Sequence, residues 1–159
     1  MNKIKLIGQA ITSTNYTTKR LFNFNPEPIR DMAENYLASG ITEVEIPQAV
    51  LDPEKRFPEK GVDEETLKKT ISMLPKETKV IGSYFGGAKV GDQLEAFKKE
   101  TKQRIDHFIE YFPDFTYSML HPLGKTADPE MVKQYFELWA ECAEYAAQRK
   151  PGVQLCLHN

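Results

Sequence analysis

The sequence predicts an α/β fold built on a parallel sheet. Short apolar runs that are typical of strands recur roughly every 35 to 40 residues, the spacing of βα units with modest loops. A segment with the helical spacing of apolar residues separates each run from the next. Because right-handed crossovers join neighbouring strands in parallel, this alternation favours one parallel sheet covered by helices.

Five segments have the composition of strands, with β-branched, aromatic and other apolar residues in short runs. They are residues 3–11, 41–46, 79–85, 115–120 and 153–157. The hydroxyl-rich stretch at 12–25 and the proline-containing stretch at 47–62 lack both periodicities, and we interpret them as loops.

Four segments have helical periodicity and start signals. The first three cover residues 26–39, 63–74 and 90–111. The fourth is a long segment that begins at Asp128 and is ended by Gly152. Asp128 is a predicted N-cap with Pro129 at the first helical position. The resulting order is β-α-β-α-β-α-β-α-β, which we assign to a single domain over residues 1–159.

The composition excludes several classes of protein. The 159 residues are 40% hydrophobic and 28% charged, with a net charge of -2, so we expect neither nucleic acid nor a membrane as a partner. No apolar run approaches the roughly 20 residues of a membrane span, and the N-terminus lacks the apolar stretch of a signal peptide. The two cysteines, Cys142 and Cys156, are expected to be reduced and buried, which fits a cytoplasmic protein.

Two parallel architectures compete for this pattern. A (βα)8 barrel of the TIM type takes about 250 residues, so five βα units would form the N-terminal part of an incomplete barrel. A five-stranded doubly wound sheet of the flavodoxin type fits the length, but it needs a helix after its fifth strand and a phosphate-binding loop after its first. The loop at 12–18 has no glycine and is therefore a weak candidate for that loop.

The positions of the histidines favour the barrel. Of the three, His121 and His158 each end a predicted strand, whereas His107 lies within the third helix. In a barrel all strand ends meet at one mouth, so the two imidazoles could share a pocket. In a doubly wound sheet the same strands would lie together at an edge, away from the ligand site.

Three motifs in this order resemble the xylose isomerase-like barrel superfamily, in its sugar-phosphate isomerase/epimerase branch. Residues 40–46 (GITEVEI) are similar to its second strand, in which Glu45 would be the pocket-facing acid. Residues 119–124 (MLHPLG) are similar to its fourth strand, with a histidine at the tip. Residues 152–159 (GVQLCLHN) are similar to its fifth strand. The resemblance covers the whole chain, and it depends on the order and spacing of the motifs more than on any one of them.

The resemblance implies a metal-dependent isomerase or epimerase in the full-length form. Members move protons on carbons next to a sugar carbonyl and typically bind a divalent metal: Mn, Co, Mg or Zn. Their metal ligands, acids and a histidine, come mostly from the fifth to eighth strands, and we expect them beyond residue 159. His121 is a possible metal ligand within this chain.

Four residues are candidates for substrate binding: Glu45, His121, His158 and Asn159. Proton abstraction beside a carbonyl needs a nearby base and a group that stabilises the enolate charge, and acids, histidines and a metal meet both needs. The alternative for Glu45 is a buried acid paired with a lysine or arginine, and for His121 a hydrogen-bonded core residue. Glu43 is expected to be structural. The sequence does not identify the catalytic base.

Two other functions stay open. One is a non-catalytic carbohydrate-binding or structural barrel domain that lost the metal, and the other is a flavodoxin-like binding domain. We expect the ligand to be a small sugar or sugar phosphate. Five units of a barrel would leave exposed strand edges, which invite pairing, so we also expect a homo-oligomer or a missing C-terminal part rather than a stable monomer.

Overall fold

A computed structural model describes residues 6–9, 26–47, 50–51, 61–62, 64–85, 94–120 and 128–157. Four helices are α1 Pro26–Ala38, α2 Glu64–Met73, α3 Leu94–Tyr111 and α4 Pro129–Arg149. Seven strands are β1 Gly8–Gln9, β2 Glu43–Pro47, β3 Val50–Leu51, β4 Gly61–Val62, β5 Lys79–Phe85, β6 Tyr117–Leu120 and β7 Gln154–Leu157. In this part of the chain, no helix is both long enough and apolar enough to cross a membrane.

The main sheet has five parallel strands in the order β1-β2-β5-β6-β7. Each strand therefore lies beside the one that precedes it in this sheet along the chain. A flavodoxin-type sheet would instead place its first strand between the second and the third. The sequential order is consistent with part of a TIM-like α/β fold and contradicts the flavodoxin-like alternative.

The segment predicted as a loop at 47–62 contains two short strands. β3 and β4 pair in parallel, with Val50 opposite Gly61 and Leu51 opposite Val62, in a small second sheet. The prediction of a plain loop was wrong here because a two-residue strand depends on its distant pairing partner and leaves no local periodicity.

The main core lies between the sheet and the helices. Val44, Ile46 and Val80 of the sheet pack in one cluster with Ile105 and Phe108 of α3. The Phe108 ring lies 5.1 Å from the ring of Phe112 and 5.3 Å from that of Phe115. These tilted contacts fix the C-terminal end of α3 against the start of β6.

A second cluster joins α3 to α4. Phe97 packs with a predicted apolar stripe on α4 that is formed by Tyr135, Leu138, Trp139 and Cys142. Leu155 of β7 contacts both clusters. The long helix is thus held on the sheet beside its last strand.

The start of α4 follows the predicted capping pattern. Asp128 has an extended backbone, and its carboxylate accepts a hydrogen bond from the backbone N–H of Met131 at 2.9 Å. Pro129 occupies the first helical position, where the missing N–H costs nothing. The capping bond satisfies one of the orphan donors at the helix end.

We expect Asp128→Ala to lower the free energy of unfolding by about 1 kcal/mol, because it removes this bond. Asp128→Asn keeps a capping oxygen and is the matched control, which should retain most of the stability. Urea unfolding followed by circular dichroism measures both variants. Equal losses in the two would show that the charge, and not the hydrogen bond, stabilises the helix end.

Candidate functional site

Strand alternation gives the sheet two chemically different faces. Val44 and Ile46 of β2 belong to the helix-packed core, so Glu45 between them points to the opposite side. The register places four residues in one row on that side: Glu45, Gly82, Tyr117 and Gln154. We call this row, together with Cys156 two residues further along β7, the polar face.

The centre of the polar face is a hydrogen bond between two side chains that are not on adjacent strands. The Tyr117 hydroxyl on β6 donates to Oε2 of Glu45 on β2, at 2.9 Å and across β5. Glu45 is only 3% exposed. A carboxylate removed from water to this degree needs hydrogen-bond partners, because an unsatisfied buried charge is costly.

Gly82 makes this contact possible. It lies on β5 between Glu45 and Tyr117, and a Cβ placed on it would come within 2.2 Å of Cζ of the tyrosine ring. A β-bulge sets this position: Val44 pairs with Val80, whereas Glu45 pairs with Gly82, and Ile81 is the extra residue. The bulge therefore places a glycine rather than an isoleucine beside the carboxylate, and the ring lies over it.

The surroundings keep the Tyr117 hydroxyl protonated. Burial raises the pKa of Tyr117 far above its ordinary value, and the charge of Glu45 and the hydrogen bond to it raise that pKa further. The phenol is therefore neutral throughout the physiological range and always has a proton to donate. A neutral donor orients the carboxylate without itself adding a positive charge beside it.

Cys156 extends the polar face toward the edge of the sheet. Its side chain is half-buried. Burial raises the pKa of the thiol, and the negative charge of Glu45 raises it further. It lines a cleft of about 370 Å³ with Tyr117, Gln154, Thr116 and Gly152. This cleft adjoins the hydrogen-bonded pair and has polar and apolar walls.

The predicted site residues have different outcomes. Glu45 lies on the polar face, where it accepts a hydrogen bond from Tyr117, and its role in substrate binding stays a prediction. His121, His158 and Asn159 lie outside the described residues. His107 is half-buried on α3, where burial lowers the pKa of its imidazole.

Sequence reasoning missed Tyr117 and Gly82. Tyr117 lies in a run that reads simply as a strand, and no local pattern shows that its ring crosses a neighbour. Gly82 did carry a signal, because an isolated glycine inside a strand pattern indicates a bulge or a close approach of another group. Both features occur here.

A metal centre in a protein needs several donor side chains close together. Within the ranges given above, no group of three or more His, Cys, Asp and Glu side chains could hold one. The polar face contributes Glu45 and Cys156, which are fewer ligands than a protein metal site uses. The described residues therefore do not fit a metal centre.

The role of Gly82 can be tested by adding a single methyl group. We expect Gly82→Ala to lower the free energy of unfolding by roughly 2 kcal/mol or more, because the ring must move and the buried carboxylate loses a donor. Repeating Gly82→Ala in a Tyr117→Phe background should cost less, since that hydrogen bond is already gone. Chemical denaturation measures both, and equal costs in the two backgrounds would contradict this role.

The two thiols should differ in reactivity. Cys142 is fully buried, and burial raises the pKa of its thiol to about 11, so at pH 8 we expect iodoacetamide to label Cys156 and spare Cys142. Glu45→Gln should speed the labelling of Cys156, because removing the negative charge lowers the thiol pKa. Mass spectrometry of timed samples gives both rates, with Glu137→Gln on the exposed side of α4 as the control. An unchanged rate in Glu45→Gln would show that its charge does not act on Cys156.

This chain is similar to known proteins in structure and not in sequence. No family model and no curated protein sequence matches this chain. The crystal structure of a sugar phosphate isomerase/epimerase from Parabacteroides distasonis matches with a TM-score of 0.61 at 12% identity, over 100% of this chain and 52% of that one. A diaminopimelate decarboxylase matches with a TM-score of 0.54 at 12% identity, over 80% of this chain and 34% of that one. This chain spans about half the length of the isomerase/epimerase, and its fold is similar to that half.

Proposed function

We propose that this chain is part of a sugar or sugar-phosphate isomerase/epimerase-like protein that transfers a proton next to a carbonyl. The observation that carries the proposal is the buried Glu45 carboxylate, held by Tyr117 on the face of the sheet opposite the helices. The structural likeness to an isomerase/epimerase supports the same reading at the level of the fold. Fold alone does not determine function, so the proposal rests on the polar face.

The carboxylate suits recognition of a sugar hydroxyl. An ionised carboxylate is an acceptor with several lone pairs, and a hydroxyl is its natural donor. Hydrogen bonds to charged groups are stronger than neutral ones, and a low local dielectric strengthens them further. We therefore give Glu45 the role of binding and orienting a hydroxyl of the substrate.

We propose that His121, His158 and Asn159 contribute to the same substrate site. The register places Leu120 of β6 opposite Leu157 of β7, and these residues immediately precede the two histidines in the sequence. Histidine titrates near neutral pH and can hold or deliver a proton during transfer beside a carbonyl.

A divalent metal stays part of the proposal through the family resemblance only. Because the described residues do not fit a metal centre, the ligands of such an ion would have to lie elsewhere, with His121 as the candidate in this chain. When bound, a divalent ion would stabilise negative charge on sugar oxygens. No role of Glu45 or Tyr117 depends on it.

The proposal is tested by incubating the protein with a panel of aldoses, ketoses and their phosphates in D₂O. Proton transfer next to the carbonyl replaces that C–H with C–D, which NMR detects even when no net product accumulates. We expect exchange with at least one member of the panel. Binding without exchange would favour the non-catalytic carbohydrate-binding alternative. If the protein shows neither binding nor exchange with any member of the panel, the proposal is overturned.

For a ligand found in this way, we expect Glu45→Gln to weaken binding about 10- to 100-fold, because it removes a charged hydrogen bond worth roughly 1.5–3 kcal/mol. Isothermal titration calorimetry measures the affinity. The control is Glu137→Gln, the same change on the exposed side of α4, which should bind as the unaltered protein does. Equal affinity in Glu45→Gln and the control would remove Glu45 from the site.

A further inference from the structure

We propose that a cavity where the strands begin binds a small organic cation, a primary ammonium group carried on an apolar body. Thr78, which directly precedes β5, is one of the residues that line this cavity. The proposed histidines follow β6 and β7, at the opposite end of the strands. No residue assigned to the substrate site is among the described lining residues, so this inference does not depend on the proposed function.

The cavity has the size and walls of a small-molecule site. Its volume is about 320 Å³, and it lies between residues 71–76 at the end of α2 and residues 111–114 at the end of α3. Val80 and Phe112, which belong to the main core and are 4% and 5% exposed, form part of an apolar wall. Sites for small molecules occupy roughly 300 Å³ or more and combine apolar walls with a few polar groups.

The two helix ends favour a positively charged occupant. Because α2 and α3 each connect parallel strands, both direct their C-terminal carbonyl groups toward this end of the sheet. The C-terminus of a helix carries a partial negative charge that attracts cations. Neither helix has a basic residue in its last turn, whereas α4 has Arg149 there. Asp114 and Lys76 add opposite charges to the lining, so the helix ends set the balance.

The turn after α3 already binds one ammonium group. Nζ of Lys150 donates to the backbone carbonyl of Phe115 at 2.9 Å and also to that of Pro113. Pro113 is itself a lining residue of the cavity. This turn therefore presents carbonyl acceptors that suit an ammonium, which has three donors and no acceptor.

A hydroxyl on the wall is a second reason to expect a donor in the cavity. Oγ1 of Thr78 is buried and has no hydrogen-bond partner among the described residues. A buried hydroxyl without a partner is costly, so a ligand that donates to it recovers part of that cost. An ammonium meets this need, and a purely apolar molecule does not.

The first experiment compares charged probes with neutral probes of the same shape. Hexylamine and phenethylamine are ammonium ions at neutral pH, and hexanol and 2-phenylethanol are their uncharged counterparts. Backbone amide NMR shifts give both the affinity and the place of binding. We expect the amines to shift the amides of 71–78 and 111–114 and to bind at least about fivefold more tightly than the alcohols. The absence of such shifts with both amines would overturn the proposal, and so would equal affinity for amines and alcohols.

The hydroxyl is tested by Thr78→Val, with Thr101→Val as the matched control. The control makes the same change at another buried hydroxyl, which donates to the carbonyl of Phe97 within α3 and is not part of the described lining. We expect Thr78→Val to weaken amine binding about 3- to 10-fold without lowering the free energy of unfolding, because no hydrogen bond within the protein is lost. Thr101→Val should leave the amine affinity unchanged. Equal amine affinity in the two variants would overturn the contact with Thr78.

The sign of the ligand's charge is tested at two exposed lining residues. Asp114→Asn should weaken amine binding and Lys76→Gln should strengthen it, each by about twofold, because exposed charges are screened. The alcohols should respond to neither change. Effects of the opposite sign would show that the cavity prefers an anion and would overturn the proposal.

A last probe distinguishes a free amine from a lysine side chain of another protein. Nα-acetyl-lysine amide presents the same ammonium next to two peptide groups. We expect it to bind more weakly than hexylamine, because peptide groups are costly to place against an apolar wall. Tighter binding of the lysine derivative would overturn the assignment to a free small molecule.

Discussion

A single hydrogen bond across a glycine governs what this sheet presents on the side opposite its helices. Glu45 is almost fully buried, and burial of a carboxylate is tolerated only when polar groups satisfy it. Tyr117 supplies a donor from two strands away. Three local features serve this contact: the bulge at Ile81, the absence of a side chain at Gly82 and the parallel register that aligns the row.

The same alternation that builds the core also builds the polar face. Along β2, side chains that face the apolar cluster alternate with side chains that face away from it. Because Val44 and Ile46 face the cluster, Glu45 faces the opposite side. On the other strands the helix-facing side is not wholly apolar, since the Ser83 and Ser118 hydroxyls form a buried hydrogen bond of 3.0 Å there. Such a bond satisfies both groups and helps to hold β5 and β6 in the register on which the tyrosine depends.

The sequence was sufficient for features set by local chemistry. The strand at 79–85, the cap at Asp128 and the apolar stripe of α4 follow from composition, capping preference and periodicity, and the structure has all three. The sequence was insufficient where a residue's partner lies far along the chain. The pairing of β3 with β4 and the contact of Tyr117 with a residue 72 positions away depend on tertiary packing that no window of sequence contains.

The fold of this chain does not by itself identify a reaction. Of the solved structures similar to it, one is an isomerase/epimerase and another is a decarboxylase, both at 12% identity, so similar βα frameworks accommodate different reactions. A more specific feature is the polar face, with the contact between its buried acid and Tyr117. The tyrosine is a neutral donor whose proton is retained by burial, so its hydrogen bond orients the Glu45 carboxylate without adding a positive charge. An acceptor held in one orientation is what a binding site for hydroxyl groups requires.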